Sequence, residues 1–424
     1  MLYNVCMEKL LTLSQVADML TVTKETLRRW DASGKLVSIR HPINGYRMYK
    51  KQDLKQFEQL GFNFNLTATA EEEKPIKKFK TVELFAGAGG LAIGLEKAGL
   101  KCVMLNEIDK NACETLRLNR PDWQVIEGDV SKLDFLKYAG KIDLLTGGFP
   151  CQAFSYAGKR LGFEDARGTL FYEFARAVKE IQPLIALGEN VRGLINHAGG
   201  KTLEGMISVL EELGYDVVPP QVLKAIFYNV PQKRERLLIV AIKRGTNIKF
   251  EFPTPNNKIL TIKDALKKGV LYKTDVPESA GQKYPKEKYE VMSLVPPGGY
   301  WRDLPVEVQK TYMKKSFYLT GGRTGMARRM SWLEPSLTLT CAPAQNQTER
   351  CHPQHTRPFT VREYARIQTF PDEWTFSGSL GAQYKQIGNA VPVNLAYAVG
   401  KQLVRALNGY YKNKKRTRVN KGQT

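Results

Sequence analysis

Cysteine, acid and long apolar runs are what this sequence has least of. The six cysteines, at 6, 102, 113, 151, 341 and 351, form no C-x-x-C pair, which excludes a disulfide framework or a closed zinc site as the organising device. Any special cysteine acts singly. Apolar residues never run for about 18 positions without a charge, and the first ten residues lack the basic-then-apolar pattern of a secretory leader. A cytoplasmic protein with no membrane partner is expected. Acid is scarce against base: 42 Asp and Glu face 64 Lys and Arg, a formal net charge of +22 on 424 residues. That imbalance points to a polyanion, and without a long basic amphipathic helix to lie on a lipid surface, nucleic acid is preferred. With 42 % hydrophobic residues the chain can bury a sizeable core, and its length suggests two or three domains.

Residues 1–60 read as a small helical domain. Ser14 is placed to cap a helix over 15–20 and Thr23 a second over 24–32, with Val16, Leu20, Leu27 and Trp30 inward. Asn44-Gly45 then signals a hairpin turn before a strand over 46–49. The run TLSQVADMLTVTKETLRRWDASGKL, with NGYRMYK after it, resembles the winged helix-turn-helix of the MerR and excisionase regulators. Lys24, Arg28 and Arg29 would face outward from the second helix and Arg47 from the wing, as a reader of DNA grooves and phosphates requires. The other reading is a solvated helix face; the overall basicity favours DNA. Residues 61–79 are poor in large apolar side chains and read as a linker.

From Lys80 short apolar runs alternate with helical patterns: strands over 81–84, 101–105, 123–126, 142–146 and 184–187, helices over 91–98 and 110–119. This is βαβ alternation, and it predicts an α/β fold with a mainly parallel sheet and ligands at the carboxyl ends of the strands. Residues 80–249 form that domain, residues 250–357 a loop-rich region of Pro, Gly, Lys and Tyr, and residues 358–408 a helical return. Residues 409–424 are a basic tail without an acid, read as disordered.

The chemistry concentrates at the strand ends. Phe85-Ala-Gly-Ala-Gly-Gly90 lacks the G-x-G-x-x-G dinucleotide spacing, but it turns from the first strand into the first helix, where missing side chains allow a ligand close to the backbone. Glu107 ends the second strand, where an acid takes a ribose diol, and Asp129 follows the third, within reach of an adenine amino group. No phosphate-binding lysine accompanies them, which favours S-adenosylmethionine over ATP. The fourth strand ends in Gly147-Gly-Phe-Pro-Cys-Gln-Ala-Phe-Ser155. Cys151 is either an inert buried thiol, the usual fate of a free cysteine, or a nucleophile. The second reading gains from Glu189-Asn190-Val191 at the next strand end, from Arg234 and Arg236 on alternate positions, and from glycines at 158, 162 and 168 suited to a closing loop.

The ordered motifs FAGAGG, NEID, GDV, GGFPCQAFS, RGTLF, ENV, QKRER, RPFTVREYARIQTFPD and YKQIGNAVP resemble those of the DNA cytosine-5 methyltransferases, above all the bacterial restriction-modification members, from about Lys80 to Leu407. The resemblance implies a Rossmann-like class I S-adenosylmethionine-dependent methyltransferase fold with a loop-rich target-recognition domain. It implies that Cys151 attacks cytosine C6, that Glu189 serves N3, and that Arg236 meets O2 with Arg234 near the DNA backbone. The target base would leave the duplex under the 158–168 loop. Phe85, Ala86, Gly87, Gly89, Gly90, Glu107, Ile108, Asp129, Pro150 and Asn389 would surround the cofactor; Ile108 stands where some members carry an aromatic. Gln152 and Ser155 would approach DNA. In the recognition region Arg323, Arg328 and Arg329, with Tyr300 and Trp301, are candidates for DNA contact, whereas Trp332 and Tyr318 read equally as local core. Cys341, Cys351, His352 and His355 do not match a common zinc spacing, so no metal is expected. The implied partners are duplex DNA and, functionally, a cognate restriction endonuclease. RNA cytosine methylation and transcriptional control through the front domain are the rival functions.

Overall fold

The computed structural model describes residues 10–20, 22, 24–40, 45–50, 52–54, 73–150, 169–256, 258–319 and 323–421. The chain divides into two compact units, residues 1–72 and 73–424.

In the first unit, strand β1 (Leu11–Thr12) leads into helix α1 (Leu13–Met19), then α2 (Lys24–Ala32), β2 (Ile39–Arg40) and β3 (Arg47–Tyr49). The strands form an antiparallel sheet in the order β1-β3-β2, with Leu11 opposite Tyr49 and Ile39 opposite Met48. Val16, Leu20, Leu27, Leu36 and Tyr49 are buried together, as the helical spacing requires. Trp30, expected inward, is only half-buried and carries the Lys35 ammonium 4.7 Å from its ring centre. Gly45 sits at φ 67°, the left-handed conformation that a tight hairpin needs. Thr23 and Asn44, read as cap and turn residues, lie outside the described residues, as does the Ser14 side chain.

The second unit is an α/β domain. Its order is β4 (Lys80–Leu84), α3 (Gly90–Lys97), β5 (Lys101–Glu107), α4 (Lys110–Asn119), β6 (Val125–Glu127), β7 (Leu144–Gly147), α5 (Leu170–Ile181), β8 (Ile185–Val191), α6 (Lys201–Glu212), β9 (Tyr215–Lys224), β10 (Gln232–Lys233) and β11 (Glu235–Lys243). The seven-stranded sheet runs β6-β5-β4-β7-β8-β11-β9. The first five strands are parallel, and β11 lies antiparallel between β8 and β9. Nothing in the residue pattern announces that reversal, because strand direction is set by the connection and not by the side chains. All five parallel strands end on one edge, and the order turns there between β4 and its neighbours, which makes a crevice at that edge.

Beyond the sheet follow α7 (Ile262–Leu266), α8 (Lys286–Ser293), α9 (Val306–Met313), β12 (Ser336–Leu337), α10 (Val361–Ile367), α11 (Leu380–Asn389) and α12 (Val393–Lys421). One face of the sheet packs Val82, Leu84 and Leu145 against Phe174 and Val178 of α5. A second core joins Ala92, Leu116 and Trp123 to Tyr364, Trp374 and Ile387. Ile262, Ala265 and Leu266 belong to that second core, so the loop-rich region expected over 250–357 is not separate from its first residue onwards. Its own cluster begins later, around Met292, Trp301, Met313 and Cys351.

Two expectations fail at the ends of this unit for one reason. Residues 73–79, read as linker, are clamped: Asn408 accepts from the Ile76 N–H at 3.0 Å and donates to the Lys74 carbonyl at 2.9 Å, and Phe79 is fully buried. Residues 409–421, read as part of a disordered tail, continue α12. Tyr411 stacks on Phe79 with ring centres 5.8 Å apart, and its hydroxyl donates to Asp143 at 2.6 Å. These contacts hold the helix beyond residue 407, and cations at a helix C-terminus also suit its dipole.

Candidate active site

The turn after β4 is shaped by three glycines with different tasks. Gly87 has φ 53° and open space where a side chain would stand. Gly89 and Gly90 instead admit protein: an added Cβ at Gly89 would meet Leu116 at 2.7 Å, and one at Gly90 the Val391 carbonyl at 2.3 Å. Their small size therefore serves close packing of the turn on α4 and on the approach to α12. Ala86 is buried in the second core, and Phe85 holds the unusual φ of 57°, strained for an aromatic residue. Of the FAGAGG residues, Phe85 and Gly87 line the crevice, and Ala86, Gly89 and Gly90 support it.

Glu107, at the end of β5, draws the edge together. Its Oε2 accepts the Gly87 N–H at 2.7 Å, and its Oε1 accepts the N–H groups of Ile108 and Asp109, each at 2.8 Å. A carboxylate has about four acceptor positions, so one remains, on Oε2. Ile108 beside it is 71 % exposed, an apolar face uncovered among the described residues. Buried Asn106 donates to the Ile126 and Gly128 carbonyls and so ties β5 to the turn bearing Asp129. Asp129 is exposed, and a hydrogen bond from the Ser131 N–H holds its carboxyl below the usual range. An acid, an exposed aliphatic side chain and a second acid thus stand at neighbouring strand ends.

The next strand ends meet the sequence FPC. Asn190 on β8 donates to the Phe149 carbonyl at 2.9 Å, which fixes the backbone one residue before exposed Pro150. A Cβ at Gly148 would stand 3.0 Å from Glu189 Oε2, so the glycine lets that carboxyl approach the turn. In the β8–β11 register Glu189 is opposite Leu238 and Val191 opposite Arg236, which puts Glu189 and Arg236 diagonally on one face. Arg236 Nε lies 2.5 Å from Glu189 Oε1, and both side chains are nearly buried. The contact is an ion pair without the alignment of a hydrogen bond, since Glu189 Oε1 has no hydrogen-bond partner among the described residues. Cys151, Gln152, Ser155 and the 158–168 loop lie outside the described residues.

Arg234 is elsewhere. Expected near the DNA backbone, it is 2 % exposed and donates to the carbonyls of Leu339, Gly388 and Asn389. It lies between β10 (Gln232–Lys233) and β11 (Glu235–Lys243), outside the alternation of either strand, so its side chain is free to leave the face that Arg236 takes. Burial, with repulsion from Arg236, lowers its pKa to about 9, so the guanidinium still keeps its charge at neutral pH. Asn389 is held by this contact and by Cys341, whose Sγ lies 3.1 Å from Asn389 Oδ1. Gln232 and Gln368, which sequence reasoning missed, complete the frame: Gln232 donates to Gln368 Oε1 at 2.9 Å, and Gln368 donates to the Ile387 and Ala390 carbonyls. Their only signal was a polar residue inside an apolar pattern.

Other arginine expectations are corrected in the same way. Arg329 is buried and donates to the Met292 carbonyl and Thr356. Arg328 is largely withdrawn from solvent over the Tyr300 ring, and burial lowers its pKa. Arg323 is half-buried and donates to the Leu319 carbonyl. Trp301 is core, while Tyr318, read equally as core, is 79 % exposed. In the first unit Lys24, Arg28 and Arg29 are exposed, Arg28 beside Glu25 at 2.8 Å. Arg47 is engaged by Asp31 at 2.6 Å and does not stand free on the wing. Cys351 Sγ meets the His355 carbonyl, and His352 Nδ1 accepts from the Gln354 and His355 N–H groups, while Cys341 lies against Asn389.

Comparison with known proteins places these features in a family. Residues 79–405 match the C-5 cytosine-specific DNA methylases, and residues 12–49 match the MerR family of regulatory proteins. The chain is 66 % identical to the Type II methyltransferase M.Eco47II of Escherichia coli, over 94 % of this chain and 96 % of that one. It is 60 % identical to the Type II methyltransferase M.PspPI of a Psychrobacter species, over 93 % and 95 %. Among solved structures, a prophage-encoded protein of E. coli described as a DNA modification methyltransferase superposes with a TM-score of 0.61 at 25 % identity, over 78 % of this chain and all of that one.

Proposed function

The chain belongs to the C-5 cytosine-specific DNA methylase family and is a DNA cytosine-5 methyltransferase, and from this premise we propose that it modifies a fixed site in duplex DNA by nucleophilic catalysis from Cys151. The observation that carries the reading is the Glu189–Arg236 pair beside the Phe149-Pro150 turn, one residue from that cysteine.

Cytosine does not react at C5 unaided. Addition of the Cys151 thiolate to C6 forms an S–C bond and sends electron density into the ring, which makes C5 nucleophilic. Glu189 then holds a proton at N3, where the negative charge develops, and Arg236 orients Glu189 and meets O2. Two side chains fixed by strand register need no rearrangement during the reaction. Once C5 carries the new methyl group, its proton passes to water and the S–C bond breaks to release the thiolate, which gives 5-methylcytosine. The target base leaves the stack to reach this depth, since C6 is inaccessible inside a duplex.

The strand-end residues fit S-adenosylmethionine. The free acceptor position of Glu107 Oε2 suits a ribose hydroxyl, exposed Ile108 an adenine face, Asp129 an exocyclic amine, and the open space at Gly87 a close backbone approach. Phe85, Pro150 and Asn389 complete the set that this reading assigns to the cofactor. When bound, the cofactor supplies a methyl group activated by its sulfonium. Incubating the protein with the labelled cofactor and duplex DNA, then analysing nucleosides, tests the reading: 5-methyldeoxycytidine is expected with wild type and none with Cys151→Ala. Equal label in both would sink the assignment, and a preference for transfer RNA over duplex would move the substrate to RNA.

The relatives named as Type II methyltransferases support a role beside a cognate restriction endonuclease, whose cleavage this modification would block. The MerR-like unit, with Lys24, Arg28 and Arg29 on one helix, supports a second role in controlling transcription of its own operon. Reporter expression indifferent to deletion of residues 1–60 would count against that role.

A further inference from the structure

The edge of the sheet opposite the crevice carries charge that the cleft does not use. Helix α12 begins near the catalytic edge and runs beside α3: added Cβ atoms at Gly94 and Gly400 would meet Ala396 and Ala98. It reaches the amino-terminal edge at Tyr411, which contacts Phe79 just before β4 and Asp143 just before β7. At about 1.5 Å per residue, roughly 27 Å of helix separates Val393 from Tyr411. From there residues 412–421 hold six basic residues and no acid, and the side chains of Lys412, Lys414 and Lys415 are exposed.

A groove of about 440 Å³ adjoins this helix, lined by Lys249, Arg405, Tyr410 and Lys412 with Glu73 and Glu251. Glu73 pairs with Lys412 at 2.6 Å, and Asp143 with Lys77 at 3.2 Å. Those acids answer only part of the charge. Among the described residues no carboxylate pairs with Lys249, Arg405 or Lys415, and all three side chains are exposed.

We propose that this edge is a second duplex-binding surface, which takes the phosphate backbone of a DNA segment other than the one whose cytosine occupies the cleft. Charges there lie farther from the crevice than the ~8 Å over which salt leaves Coulomb forces effective. A duplex is stiff over about 150 base pairs, so a short bound site does not wrap round to the far edge. Lysines and an arginine on a helix and groove suit sequence-independent phosphate contact. The surface would let the enzyme hold one segment while sampling another, a use beyond the reaction proposed for the cleft.

The test uses the full chain. It is saturated with a short duplex that it methylates, and a second labelled duplex of unrelated sequence and different length is titrated in. Wild type is expected to form a complex with both, and Lys249→Ala/Arg405→Ala/Lys414→Ala/Lys415→Ala to bind the second duplex roughly ten- to a hundredfold more weakly with a shallower salt dependence. Turnover of the short duplex and the melting temperature, unchanged in the variant, would show that cleft and fold are intact. Methylation is thereby read separately from second-duplex binding. The proposal is overturned if wild type binds no second duplex, if the fourfold variant binds it as tightly as wild type, or if Arg28→Ala/Arg29→Ala alone abolishes it. Capture of anionic lipid vesicles without any second duplex would assign the edge to a membrane instead.

Discussion

The two edges of one seven-stranded sheet use charge in opposite ways. At the carboxyl edge carboxylates and arginines are withdrawn from water and matched: Glu107 to three backbone N–H groups, Glu189 to Arg236, Arg234 to three carbonyls. At the amino edge lysines stand in solvent, only partly answered by acids. The planar, multiply donating guanidinium can satisfy several acceptors at once, whereas an ammonium on a flexible stem keeps its hydration. A net charge of +22 thus mixes structural cations with available ones, and burial separates them.

The largest effects are expected where a matched charge loses its partner. Arg366 is fully buried and bonds both oxygens of Asp372, at 2.8 and 2.6 Å, besides the Thr274 and Asp275 carbonyls. Arg366→Met should cost about 3–5 kcal/mol in denaturant unfolding; a cost near zero would mean that buried arginines of this chain do not frame it. Next comes Glu189→Gln, expected to slow single-turnover methyl transfer roughly 100- to 1,000-fold with cofactor affinity unchanged. A loss explained by cofactor affinity alone would move Glu189 out of the chemistry.

Glu83 sharpens the comparison, because it is a side-chain acid near the carboxyl edge with no matching cation among the described residues. It is 2 % exposed on β4, opposite Thr146, and its Oε2 lacks a hydrogen-bond partner among the described residues. Burial, reinforced by the charges of Glu189 and Glu107, raises its pKa from 4.5 to about 8. The folded state therefore holds this proton more tightly than the unfolded chain, and stability is lost as pH rises from 4.5 through 8. Glu83→Gln has no proton to lose, so its melting temperature should gain on wild type across that window, with a difference on the order of a few kcal/mol at pH 8. A gap independent of pH would contradict the buried neutral acid. The smallest effect belongs to the amino edge: Lys414→Ala/Lys415→Ala should change unfolding free energy by less than about 0.5 kcal/mol.

Much of this was legible in the residue order. The five parallel strands and α4 lie where alternation and turn chemistry put them, and Glu107 and Asp129 stand at or just after strand ends as the βαβ reading expects. What escaped was set by distant partners. Arg234 and Arg236 look alike in the sequence, and only the break between β10 and β11 at Arg234 makes one a buried strut on distant carbonyls and the other, in the strand, the partner of Glu189. The helix past residue 407 depends on Phe79 and Asp143, far away in the chain, and the Gln232–Gln368 bond joins two motifs that sequence spacing leaves unrelated.

The central claim is that chemistry resides at the carboxyl edge, on the thiol that follows the Phe149-Pro150 turn. A duplex carrying 5-fluorocytosine at the methylated position leaves no C5 proton to remove, so the adduct formed after methyl transfer cannot eliminate. Incubated with protein and S-adenosylmethionine, then digested and analysed by mass spectrometry, it should yield one DNA-linked peptide attached through Cys151. No stable adduct, or attachment through any other residue, would contradict the account.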